Sequence, residues 1–160
     1  MTRNITRIVL LFIFVATLIL SVVPIAQART CSNATGAGKW GFTVTGTIIT
    51  PNGPVSVVQV GRFTLDRAGN VVGSQARSLG GGIARETFKG TTTTNPDCTG
   101  SGTIQVFDES GSLVRTSGLD FVLVDNAREA RYIVTSIVLP NGASIPPILA
   151  VDAKRLFPED

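Results

Sequence analysis

The sequence predicts an all-β fold, an eight-stranded antiparallel up-and-down barrel tied by one disulfide. Three observations lead there. Short β-type runs broken by turn residues recur eight times between Trp40 and Leu156. Composition is rich in Thr and Gly, with 17 Gly, no His and few helix formers in series. An even number of antiparallel runs lets the last strand return beside the first, which is how a meander removes its own edges.

Residues 1–28 are set aside first. Arg3 and Arg7 precede an apolar run from Ile8 to Val23, Pro24 breaks it, and Ala26-Gln27-Ala28 offers small residues where a signal peptidase reads. The expectation is a signal peptide over 1–28 and a single barrel domain over 29–160, exported to the periplasm or medium of a bacterium. The run is slightly short for a membrane span of about 20 residues, and Arg29 and Thr30 before Cys31 do not suit a lipid-attachment box. Without Arg3 and Arg7 the formal charge falls from +3 to +1. The basic balance therefore belongs to targeting, and neither nucleic acid nor an anionic membrane is expected as a partner. Cys31 and Cys98 are the only cysteines, and an even count in an exported chain predicts a disulfide.

The first strand covers residues 40–49. Trp40, Phe42, Val44, Gly46 and Ile48 share one face, and Thr43, Thr45 and Thr47 the other. Pro51-Asn52-Gly53-Pro54 turns the chain. The second strand covers 55–66 with Phe63 and Leu65 on one face, and the loop at 66–70 supplies Gly69 for a left-handed position. The third covers 71–79 and stops at Gly80-Gly81-Gly82. The fourth, 83–94, alternates plainly: Arg85, Thr87, Lys89 and Thr91 against Ala84, Glu86, Phe88 and Gly90. A fifth strand is expected over 103–108. The sixth ends in the apolar run 119–124, the seventh covers 130–139, and the eighth follows Pro146-Pro147 over 148–156. Strand parity then places Cys31, Cys98, Trp40 and Arg155 at one end. The other end would be a mouth with Ile48, Ile49, Val55 and Ile145.

Gly38-x-Trp40 at the head of the first strand, with Arg155 closing the last, resembles the calycin group: lipocalins, fatty-acid-binding proteins and avidin-like barrels. The resemblance implies that Arg155 stacks on Trp40 and seals the closed end, a cation–π contact over a buried ring. Val124-Asp125-Asn126 stands where lipocalins carry a Thr-Asp-Tyr-type motif. The chain is also similar to uncharacterised small secreted bacterial proteins that begin with Cys-Ser-Asn and a Gly-Phe-x-x-x-Gly strand. Allene oxide cyclase and dirigent-like barrels share the strand count.

The absence of His excludes Ser-His and Cys-His nucleophilic systems, and oxidised cysteines remove thiolate catalysis and soft-metal sites. No metal or cofactor is expected. Glu86 shares a face with Phe88, so an inward Phe88 makes Glu86 a carboxylate inside the barrel, with Arg62, Arg77 or Tyr132 as candidate partners. A buried carboxylate needs a partner or a raised pKa. An eight-stranded barrel is filled by side chains or holds one small ligand. The leading expectation is a non-enzymatic binding module for a small apolar ligand, touching Ile48, Val57, Glu86, Phe88 and Tyr132. The alternatives are a dirigent-like isomerase or cyclase using Glu86, and a structural or surface interaction protein with a filled interior. Oligomeric state is left open.

Overall fold

A computed structural model describes residues 30–156. The expected signal peptide and its cleavage site lie outside them. One helical turn, α1 (Asn33–Gly36), precedes eight strands: β1 (Gly38–Thr50), β2 (Gly53–Leu65), β3 (Asn70–Leu79), β4 (Gly82–Thr94), β5 (Thr99–Phe107), β6 (Leu113–Val124), β7 (Glu129–Val138) and β8 (Pro147–Arg155). Each pairs antiparallel with the next and β8 pairs with β1, which closes the barrel. The bounds agree with the sequence reading to a residue or two, except that β5 opens at Thr99 rather than Thr103. Thr99-Gly100-Ser101-Gly102 reads as a loop, yet its two glycines are the inward slots opposite Phe121 and Leu119.

Alternation decides which face is inside. Trp40, Phe42, Val44 and Ile48 of β1 are buried, whereas Thr43 and Thr45 are exposed. In β4, Glu86 and Phe88 are buried between exposed Arg85, Thr87 and Lys89. Ile49 is a correction to the expected mouth: it follows Ile48, so it points outward and is exposed.

The stagger of the strands can be read from the register. The inward row Thr94, Gly100, Phe121, Tyr132, Val151, Val44, Gln59, Arg77 and Ala84 runs once round the barrel. It leaves β4 at Thr94 and returns to β4 at Ala84, a shear of ten residues. Eight strands with that shear tilt by roughly 40° and enclose a narrow lumen. Phe42, Phe88 and Phe121 stand directly across from Gly61, Gly73 and Gly100. Each ring lies over the glycine opposite, where a Cβ would collide with it. Large and small residues thus interlock across neighbouring strands.

One end is sealed. Cys31 and Cys98 form a disulfide that brings the segment before β1 onto the β4–β5 turn, with Cα atoms 4.9 Å apart. Asn33 clamps α1 to the wall: its Nδ2 donates to Ala68 O (3.1 Å), and Thr94 N–H donates to its Oδ1 (2.8 Å). Trp40, 1 % exposed, stacks on Phe63 with centroids 6.0 Å apart and donates its indole N–H to Gly36 O at 2.9 Å. The Arg155 guanidinium lies 5.2 Å from the Trp40 ring centroid. Its Nε donates to Ala127 O (2.7 Å) and its Nη2 to Thr35 O (2.6 Å), so the charge is held by carbonyls. To present its carbonyl, Ala127 takes a left-handed φ of 59°, as do Asp125 and Asn126 before it at 50° and 54°. Gly38 belongs to the same arrangement, because a Cβ there would press on Arg155 Nη1 at 2.9 Å.

The wall is incomplete at one seam. β7 and β8 pair only from Glu129↔Lys154 to Ile133↔Ala150. Beyond that, Thr135 is an extra residue in β7, since Leu119 pairs with Val134 and Gly118 with Ser136. Opposite it stands Pro147, which has no N–H to donate, while the Pro146 carbonyl turns the other way and accepts from Ile49 N–H at 3.0 Å. The bulge turns β7 away and Pro147 supplies no donor to hold it. The chain rejoins above, where Ile145 N–H donates to Ile137 O at 2.9 Å. The result is a window between residues 134–136 and 147–149, flanked outside by exposed Ile133 and Ile148. Below it, Arg131 pairs with Asp152 and Glu129, and Lys154 with Glu129, across the closed part of the seam. Backbone amides of residues 134–136 that point toward β8 should exchange with solvent at least tenfold faster than those of residues 130–133 pointing the same way. Hydrogen exchange read residue by residue checks this, and equal protection would mean the seam is closed.

Candidate functional site: a capped apolar cavity

The lumen is neither solid nor wide. A cavity of about 100 Å³ lies inside the barrel. Its walls are mostly apolar, with Phe42, Phe88, Ile104, Phe121, Val134 and Val151 among them. Ile104, Tyr132, Val134 and Val151 face inward yet keep some accessible surface, because they border this space. The volume is somewhat below that of an engineered cavity of about 150 Å³ in another protein, which admits benzene. Trp40 forms part of the floor, and β7 and β8 residues beside the window, Val134, Ile137, Leu149 and Val151, form part of the wall.

Above the cavity sits a charged cluster. Glu86 on β4 is 4 % exposed. Arg115 on β6 grips it with two bonds, Nη1 to Oε1 at 2.9 Å and Nη2 to Oε2 at 2.8 Å. Gln75 Nε2 donates to Oε2 at 2.7 Å and Arg77 Nε to Oε1 at 2.8 Å, both from neighbouring β3. Burial alone would raise the Glu86 pKa. The Arg115 bonds and charge, with Gln75 and Arg77, outweigh burial and hold it at about 2. Glu86 is therefore an ionised structural hub that ties β3, β4 and β6 across the lumen.

The inward position expected for Glu86 is observed. Of its candidate partners only Arg77 is one. Arg62 pairs with Gly41 and Ser74 on outward positions, and Tyr132 lies lower on β7, against Phe121 with ring centroids 5.2 Å apart. Arg115, the strongest partner, was missed because Leu113-Val114-Arg115 shows no alternation. Counting back by twos from Phe121 finds both Ser117 and Arg115. Phe88 and Tyr132 line the cavity as expected. Ile48 and Val57 are buried but are not among its walls; they pack above it in the core. Among the described residues no group of His, Cys, Asp and Glu could hold a metal.

Five further polar residues reach the cavity: Gln59, Thr92, Thr94, Ser117 and Tyr132. Gln59 is 8 % exposed and Ser117 5 %; neither side chain makes a hydrogen bond among the described residues, and Thr94 Oγ1 on the same wall is fully buried without a partner. The Tyr132 hydroxyl likewise has none, and burial pushes its pKa upward. Counting by twos from Phe63 would have found Gln59. No family model and no curated protein matches the chain.

Replacing Glu86 with Gln leaves two inward guanidinium groups without their carboxylate. We expect a loss of about 2–4 kcal/mol at pH 7. The pH dependence has a definite sign. The ordinary carboxyl pKa of 4.5 is lowered to about 2 in the fold, so the stabilisation is complete above about pH 5 and is lost as pH falls from there toward 2. Urea melts at pH 7 and pH 3 should show the wild-type and Glu86→Gln curves converging at the lower pH. A constant gap between them would contradict the ionised hub.

Proposed function

We propose that this chain is an exported barrel of calycin-like build that binds one small, largely apolar molecule in its lumen, without catalysing a reaction. The observation that carries the reading is the apolar cavity beneath the Glu86 cluster, closed below by Trp40 and Arg155. The disulfide suits an oxidising compartment, which supports export. The cavity favours this reading over a filled structural barrel. Few polar groups in an apolar cleft are the usual make-up of a small-molecule site.

The isomerase reading loses its chemical motive. A general acid or base works best with a pKa near the operating pH, whereas Glu86 is held at about 2 by two arginines. A proton on Glu86 would cost those contacts.

Trp40 is the only tryptophan and borders the cavity, so it reports on the interior. Small hydrophobic molecules such as toluene and indane should change Trp40 fluorescence and raise the melting temperature. A ligand at a hundred times its Kd contributes about 2.7 kcal/mol, several degrees in a domain this size. Failure of the whole panel to move either signal would overturn the proposal.

A further inference from the structure

We infer that Gln59 and Ser117 form the polar subsite of this cavity and select a neutral ligand, one with a compact apolar body and a hydrogen-bonding group such as a hydroxyl or carbonyl. The inference rests on the binding reading above and names the class of molecule it would take.

Gln59 lies on β2 and Ser117 on β6, four strands apart in a ring of eight, so they face each other across the lumen. Gln59 is the direct cross-strand neighbour of Arg77, and Ser117 is the next inward residue after Arg115. Both therefore sit at the level just beneath the charged cluster. A buried carboxamide has two donors and an acceptor, and a buried hydroxyl has one donor and two lone pairs. Such groups are ordinarily paired in protein interiors. Here more than nine-tenths of each residue is buried, each side chain borders the cavity, and each lacks a partner among the described residues. Tyr132 on β7, partly buried, adds another hydroxyl that borders the cavity.

The charged groups nearby are not available in the same way. Both terminal nitrogens of Arg115 go to Glu86, and the two Glu86 oxygens already accept four bonds. An anionic ligand would lose its hydration, find no free cation along the cavity wall and approach the Glu86 carboxylate. A cation would meet Arg115. A pure hydrocarbon would leave Gln59 and Ser117 unpaired. A neutral molecule with one or two polar atoms satisfies the site without those costs.

Phenol, toluene and benzoate separate the cases at pH 7, because they share a ring and differ in one substituent. Each is titrated into the folded protein by calorimetry, with Trp40 fluorescence as a second signal. Phenol should bind at least as tightly as toluene, although water holds phenol far better, and benzoate at least tenfold more weakly than phenol. In Gln59→Leu and in Ser117→Ala the phenol-to-toluene preference should fall at least tenfold, with far-UV circular dichroism unchanged. Two variants at different sites keep the test open if one fails to fold. Toluene binding more tightly than phenol, with both variants like wild type, would leave the container and overturn the polar subsite. Benzoate as the tightest ligand would replace the neutral class with an anionic one. Failure of all three to bind would overturn both readings together.

Discussion

The geometry of closure governs everything inside this barrel. Once β8 pairs with β1 at a shear of ten residues, the lumen has a fixed width and each inward position a fixed neighbour. Side chains then have to fit that cylinder. Phe42, Phe88 and Phe121 do so only because glycines stand opposite them. Slimmer residues such as Val44, Ile104, Val134 and Val151 do not reach the axis, and the remaining space is the cavity. Close packing elsewhere makes such a gap a local property of the sequence rather than general looseness.

Polarity is graded along the axis. At the closed end, Trp40 and Arg155 give a seal in which the cation is satisfied by the carbonyls of Ala127 and Thr35. That seal is held in place by unfavourable local backbone at Asp125–Ala127, where three consecutive side-chain-bearing residues take left-handed φ values. Further up, Glu86, Arg77, Arg115 and Gln75 form a network in which the carboxylate is fully engaged. Two guanidinium groups on one carboxylate would be expensive deep in an apolar interior. Both arginine side chains keep part of their surface in water, which reduces that cost.

Much of this was legible before any coordinates. The alternation of Trp40, Phe42 and Val44 with Thr43 and Thr45, and of Glu86 and Phe88 with Arg85 and Lys89, is enough to orient β1 and β4. The even strand count places both cysteines and the Trp40–Arg155 pair at one end. What could not be read depends on register between distant strands. Arg115 reaches Glu86 across 29 residues of sequence, and no local pattern marks β6 near Leu113. The opening of β5 was hidden because two glycines look like a loop unless Phe121 is known to lie opposite. The window arises where the Thr135 bulge meets the Pro146-Pro147 pair. The prolines were visible as a loop signal, but the bulge shows only in the pairing.

Diffraction from crystals held under xenon pressure tests the hollow interior most directly, since xenon enters cavities with apolar walls. The account predicts a xenon atom in the lumen against Phe88 and Val151, with the surrounding side chains in place. A lumen without xenon, its centre occupied by repacked side chains, would contradict it.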